Sequence, residues 1–269
     1  MIEEARRFAV PGIAPRSPGL SESRPRNLLA ALSTMFGWLH ERRKIESNPC
    51  AGLARPKAPP ARERTLSGDE LRWFWLGCDK LGQPFGPVFQ LLALTGQRLR
   101  EVGGMRSDEL DGDTWEIPST RTKNKRPHKV PLPELARRLI PEQSDGLIFT
   151  TTGNTMVSGW SRAKARLDKA MLEIARSERA NAKIADWELH DLRRTAVTGM
   201  AELGIAPHVV ELCVNHISGH RAGVAGIYNR SELIDERRAA FVRWAAHVEG
   251  LVGGKKAKVV DLPSKRGRK

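Results

Sequence analysis

Tyr228 is the only tyrosine in a chain of 269 residues that also carries seven Phe and seven Trp. It lies in GVAGIYNRSEL, residues 223–233, among glycines and small side chains. A phenol of this kind can serve as a nucleophile. Three further stretches hold groups that bind phosphate or move protons on it. In TGQRLRE (95–101), Arg98 follows a helix-stopping Gly96 and opens a new helix. There its guanidinium can join free backbone N–H groups in binding an anion, and Glu101 falls on the same face. HDLRRTAVTGM (190–200) sets His190 and Arg193 three residues apart, on one helix face. An imidazole beside a guanidinium suits a phosphate that must be both held and protonated or deprotonated. VNHISGHRAGVAGIYNR (214–230) brings His216 twelve residues before Tyr228. Finally, TRTKNKRPHKVPL (120–132) crowds basic residues, Lys123 and Lys125 among them, into a hairpin turn.

Taken singly, each stretch has a plainer explanation: a surface Arg–Glu pair, a solvated basic turn, a chance His-x-x-Arg spacing, a packing tyrosine. Metal chemistry has little support, since the chain has no HExxH, no CxxC and no carboxylate at ligand spacing from His190. No metal and no cofactor are expected. Cys50, Cys78 and Cys213 form no paired motif, which suits a reducing cytosol rather than a disulfide scaffold. No run of 18 apolar residues exists to span a membrane, and the first twenty residues lack the apolar core of a signal peptide.

The elements that must position these groups read as mainly α with a small β-hairpin. Residues 25–44 form an amphipathic helix, with Leu28, Leu29, Leu32, Met35, Phe36 and Leu39 on one face. Residues 55–65 then read as a basic, proline-rich linker. Ser67 with Glu70 forms a capping box that opens a helix to about Leu81. Residues 86–95 form a buried helix stopped by Gly96, RLREVGGM starts a third, and 113–132 form the hairpin. Helices follow over 160–180, 191–203 (stopped by Gly204), Pro207 to about Asn215, and 231–248. The tail 251–269 is basic and expected to be disordered. The formal net charge is +14, and its excess sits at the two ends. Residues 1–65 carry 12 Lys/Arg against 6 Asp/Glu, and 255–269 carry 7 against 1. Such a chain favours polyanions, chiefly nucleic acid.

The order TGxRxxE, basic hairpin ending in VPL, HxLRxT, His216, then a late Tyr resembles the tyrosine recombinase (phage integrase) family over about residues 65–250. The spacing before Tyr228 looks most like integrases of prophages and genomic islands. The resemblance implies a catalytic-domain fold over 66–250, preceded by a partial helical core-binding domain over 1–54. The family pattern reads LGH where this chain has VNH at 214–216. The earlier helices of the core-binding domain are expected to be missing, which would weaken the clamp on DNA.

By the same resemblance, Tyr228 attacks a backbone phosphate and forms a 3′-phosphotyrosyl link. Arg98, Arg193 and His216 hold the phosphate oxygens, and His190 is the acid/base beside the tyrosine. Lys123 protonates the leaving 5′-oxygen, with Lys125 as the competing position. Glu101 props the active-site helix. The implied partners are double-stranded DNA at attachment sites, three further copies in a tetramer, and a directionality factor, in a bacterial cytoplasm on the chromosome. The last helix docks either on a neighbouring protomer or on its own domain. Two other functions share these residues: a type IB topoisomerase, and an inactive DNA-binding remnant of an integrase. The integrase-like order and spacing favour site-specific recombination that integrates or excises a mobile element.

Overall fold

The computed structural model describes residues 23–58, 60, 62–142, 145–216 and 232–253. It divides into two units, Met1–Arg62 and Glu63–Lys269. In the first unit, α1 (Ser23–Glu41) is a long helix that buries Pro25 and Leu29 and leaves Met35 and Trp38 exposed. Arg42 lies over the Trp38 ring, 4.2 Å from its centroid. Side-chain bonds tie the chain after the helix back to it, among them Asn48 Nδ2 donating to Ser33 O at 3.2 Å and Arg26 Nη1 donating to Pro56 O at 2.9 Å.

The second unit is mainly helical with a small antiparallel sheet. Its first helix, α2 (Gly68–Leu81), starts at the capping box expected from the sequence: Ser67 Oγ accepts from Glu70 N–H, and Glu70 Oε2 accepts from Ser67 N–H. Ahead of it, Leu66 N–H donates to Thr195 Oγ1 at 2.9 Å, which in turn donates to Asp191 O at 2.8 Å. The chain entering this unit is therefore bonded to the helix that carries His190 and Arg193. Next come α3 (Phe85–Thr95) and α4 (Leu99–Gly103). Strands β1 (Leu110–Asp111), β2 (Thr114–Ile117) and β3 (His128–Pro131) pair in the order β1-β2-β3, with Trp115 opposite Val130 and Ile117 opposite His128. The hairpin was legible in the sequence, whereas β1 is too short to show a period of two.

A short α5 (Glu134–Arg137) leads to α6 (Trp160–Glu178), α7 (Leu189–Glu202), α8 (Pro207–Cys213) and α9 (Ile234–Val252). Helix α7 begins two residues before the expected start at 191. Asp191 caps from inside the first turn, its Oδ2 accepting from Glu188 N–H at 2.8 Å, so His190 is a helical residue. Helix α8 stops at Cys213 because Asn215 takes a left-handed conformation, φ 51°. Helix α9 starts three residues after the expected 231 and runs past 248, because Leu251 and Val252 still pack on the core. The expected disordered tail lies outside the described residues beyond Gly253.

The core joins Phe74, Phe89, Leu91, Leu94, Met105, Trp115, Leu167 and Met171, all fully buried, with Phe241 and Trp244 of α9. Helix α9 thus packs on its own unit. Its anchor is Trp244, 2% exposed, whose Nε1 donates to Ala93 O at 2.9 Å. Gly199 on α7 leaves the space for this ring, since a Cβ there would run into it. Removing a large buried aromatic costs about 3–5 kcal/mol. Trp244→Ala is expected to lower the unfolding free energy by about that amount in urea, with little change in denaturant slope. A loss under about 1 kcal/mol would mean that α9 is not seated on this core in solution.

Candidate active site

Helix ends meet here, and each brings main-chain groups that need partners. Gly96 ends α3 in the left-handed conformation (φ 63°), its N–H bonded to Leu92 O. A Cβ at Gly96 would stand 2.9 Å from Val214 Cγ1, so both backbone and packing demand glycine. The Gly96 carbonyl accepts from Arg193 Nη1 at 2.7 Å, and the Val214 carbonyl, just past α8, accepts from Arg193 Nη2 at 2.5 Å. Two of the five guanidinium donors are therefore fixed on carbonyls, and the plane of the group is set. Arg193 is only 9% exposed. Desolvation, then the nearby charge of Arg98, pushes its pKa down to about 10, with Glu101 opposing. It remains a cation at neutral pH.

Arg98 stands at the N-cap of α4. Its N–H donates to Glu101 Oε2 and its Nη1 to Glu101 Oε1, both at 2.9 Å. Glu101 is 3% exposed, so this is no surface pair: a buried carboxylate uses both oxygens to hold one arginine from two directions. His190, on the first turn of α7, is exposed. Desolvation first, then the charges of Arg194 and Arg193, hold its pKa below the ordinary imidazole value, with Asp191 opposing and Arg98 adding to the fall.

His190, Arg193 and His216 line one cavity of about 250 Å³, together with Arg194, Glu211 and Val214. His216 N–H donates to Glu211 O at 2.9 Å, which fixes the backbone that carries this imidazole. Arg98 is near enough for its charge to act on both His190 and Arg193. Four of the candidate residues thus converge. Lys123 and Lys125 both sit exposed on the loop between β2 and β3, Lys125 in a left-handed conformation (φ 58°). Tyr228 lies outside the described residues.

Several supporting residues escaped the sequence reading. Gln97, 2% exposed, donates through Nε2 to Thr95 O at 2.8 Å and to Cys213 O at 2.9 Å, bridging α3 to the end of α8. Arg121 pairs with the Glu109 carboxylate and donates to Glu101 O at 2.5 Å. Asn124 bonds Asn215 side chain to side chain. From α9, the buried Arg237 donates to Lys129 O and lies 3.4 Å from His128 Nδ1, while His128 Nε2 is 3.2 Å from Cys213 O. The only hint in sequence was the Asn of VNH. Burial pushes the Cys213 thiol up to about 12, so it is an inert packing group. Among the described residues no group of three or more His, Cys, Asp or Glu side chains is placed to hold a metal, and no helix is long and apolar enough to cross a membrane.

A helical unit with a small three-stranded sheet, carrying two arginines and two histidines on these elements, has the architecture of a tyrosine recombinase catalytic domain. The model of the phage integrase family matches residues 80–232, more than half of the chain, and the chain belongs to this family. It is 28% identical over 198 residues to a shufflon-specific DNA recombinase of Escherichia coli, covering 72% of this chain and 47% of that one. It is 29% identical over 175 residues to the prophage integrase IntA of Escherichia coli (strain K12), covering 62% and 39%. The chain spans about half the length of the curated relatives it matches, or less. Among solved structures it resembles a lambda integrase dimer bound to a COC′ core site, with TM-score 0.55, 16% identity and 73% of each chain covered. It also resembles the XerH site-specific recombinase bound to difH substrate, with TM-score 0.52, 18% identity, and 74% of this chain and 60% of that one covered. At these identities the structural likeness speaks for the fold.

The charge arrangement has a measurable consequence. The His190 ring is expected to titrate with a midpoint below the ordinary value of about 6.5. Because the unfolded chain protonates this ring first, stability falls as pH drops from about 6.5 toward the folded midpoint. Saturating inorganic phosphate should raise that midpoint, since an anion at Arg98 and Arg193 offsets the positive field. Ring-proton NMR in the two buffers checks both; a midpoint that phosphate leaves unmoved would show that His190 does not share a site with the arginines.

Proposed function

We propose that this chain is the catalytic part of a site-specific recombinase that cuts and rejoins double-stranded DNA to integrate or excise a mobile element. The observation that carries the reading is the convergence of Arg193, His190 and His216 on one cavity, with Arg98 held beside it by a buried Glu101. The Arg98 and Arg193 guanidinium groups together with the Glu101 carboxylate sum to a net positive charge in partly dehydrated surroundings. That environment suits a phosphodiester whose charge grows in the transition state.

In this reading Tyr228 attacks the scissile phosphorus. The Tyr–O–P bond forms, the bond to the 5′-oxygen breaks, and a 3′-phosphotyrosyl link results. Arg98, Arg193 and His216 donate to the non-bridging oxygens; arginine suits this because its planar fork meets two oxygens at once. Each preorganised donor is worth about 10²–10³ in rate. His190, kept neutral by its surroundings, accepts the phenol proton. Lys123 on the β2–β3 loop protonates the departing 5′-oxygen, Lys125 being the alternative. The link conserves the phosphodiester energy until a partner strand's 5′-hydroxyl attacks it, so no nucleotide cofactor is required. Residues 66–250 would be the catalytic domain, preceded by a partial core-binding domain over 1–54 and the linker 55–65. Strand exchange would need four copies on two duplexes, with a directionality factor setting the preferred sense.

The test uses attachment-site DNA nicked so that the cut strand cannot religate. The native chain is expected to form a covalent adduct on a denaturing gel, Tyr228→Phe none, and Arg193→Ala at least about a hundredfold less. Mobility-shift binding by the native chain with no adduct would overturn the catalytic reading in favour of a DNA-binding remnant.

A further inference from the structure

The loop between β2 and β3 is pinned on both sides of Lys123. On one side Arg121 Nη2 donates to the Glu101 carbonyl at 2.5 Å, beside the carboxylate that holds Arg98. On the other, Asn124 Nδ2 donates to Asn215 Oδ1 at 2.7 Å, and Asn215 Nδ2 returns a bond to Asn124 Oδ1 at 3.3 Å. Asn215 is 5% exposed, left-handed in backbone, and immediately precedes His216. Within the loop, the buried Thr122 hydroxyl donates to Arg126 O at 2.7 Å and Asn124 Oδ1 accepts from Arg126 N–H at 3.3 Å. The loop is internally braced as well as tethered. The reciprocal amide pair joins the lysine loop to the histidine end of the site. A Gly at 215 would satisfy the backbone, so the amide is a feature that the fold itself does not demand.

From this juxtaposition we infer that Asn124 and Asn215 are positioning residues for proton transfer: their amide pair registers the loop lysine against the phosphate held beside His216. This rests on the reading of the chain as a DNA-cleaving recombinase. In the step concerned, the bond from phosphorus to the 5′-oxygen breaks and that oxygen takes a proton from the lysine ammonium, leaving a 5′-hydroxyl and a neutral amine. A positioning role predicts that loss of the pair hurts only when that proton is needed.

The experiment compares cleavage of ordinary nicked attachment DNA with the same duplex carrying sulfur in place of the bridging 5′-oxygen. A thiol ionises near about 8.5, far below an alkanol, and departs without a proton donor. Asn124→Ala and Asn215→Gly are expected to cut the oxygen substrate about tenfold or more slowly, to bind DNA as the native chain does, and to cut the sulfur substrate within about threefold of native. Cleavage of the sulfur substrate also reports an intact fold. Lys123→Ala and Lys125→Ala run alongside. If Lys123→Ala is rescued by sulfur and the asparagine variants are slow on both substrates or native on both, the positioning role is overturned while the cleavage reading stands. If Lys125→Ala and the asparagine variants are rescued and Lys123→Ala is not, the pair stands and Lys125 is the donor. If sulfur rescues neither lysine variant, the loop supplies no proton and the inference falls with that assignment.

Discussion

The guanidinium of Arg193 is buried against two main-chain carbonyls, Gly96 O and Val214 O, and much of the surrounding structure is arranged to make that burial tolerable. A buried cation with no partner would be strongly destabilising. Here carbonyl dipoles contact it directly, and the Glu101 carboxylate, bonded to Arg98, favours its charge from further away. Those carbonyls are available because two helices end where they do. Gly96 turns the chain out of α3, and α8 stops at Cys213. The site is therefore a property of helix termini as much as of side chains. Gln97 binds the same two termini together by donating to both Thr95 O and Cys213 O.

The electrostatic consequence is an asymmetric balance. Two arginines share one fully engaged carboxylate; burial first, and then repulsion from neighbouring arginines, lowers the pKa values of Arg193 and His190. An anion relieves this repulsion, and an anion that gains charge during reaction relieves it further. Burial and the same field together disfavour the His190 cation.

The sequence made the elements bearing these residues readable wherever a local rule governed them. The Ser67–Glu70 box fixed the start of α2, Gly96 the end of α3, and Pro207 the first turn of α8. What escaped it depended on partners far along the chain. Glu101 reads equally as a surface partner of Arg98 or as an internal prop, and only its burial shows which it is. Asp191 looks like the first residue of α7, yet it caps from within, which draws His190 into the helix. The bonds of Asn124 to Asn215 and of His128 to Cys213 cross 91 and 85 residues of chain. The replacement of the family's Gly by Asn215 was visible, but its sense was not: asparagine tolerates the left-handed backbone and adds a side chain that reaches the hairpin loop.

Helix α9 extends this logic to the segment between His216 and its own start. One end of that segment is fixed where His216 N–H bonds Glu211 O. The other is fixed by Arg237, which bonds the backbone of β3 at Lys129 O while His128, its neighbour on that strand, lies against the Cys213 carbonyl. Both anchors therefore converge on the end of α8, the same backbone whose Val214 carbonyl orients Arg193. A shift of α9 on its seat would move both the C-terminal anchor of the segment that follows His216 and the backbone that orients Arg193. With Trp244 buried under α3 and α7, that seat lies within this chain.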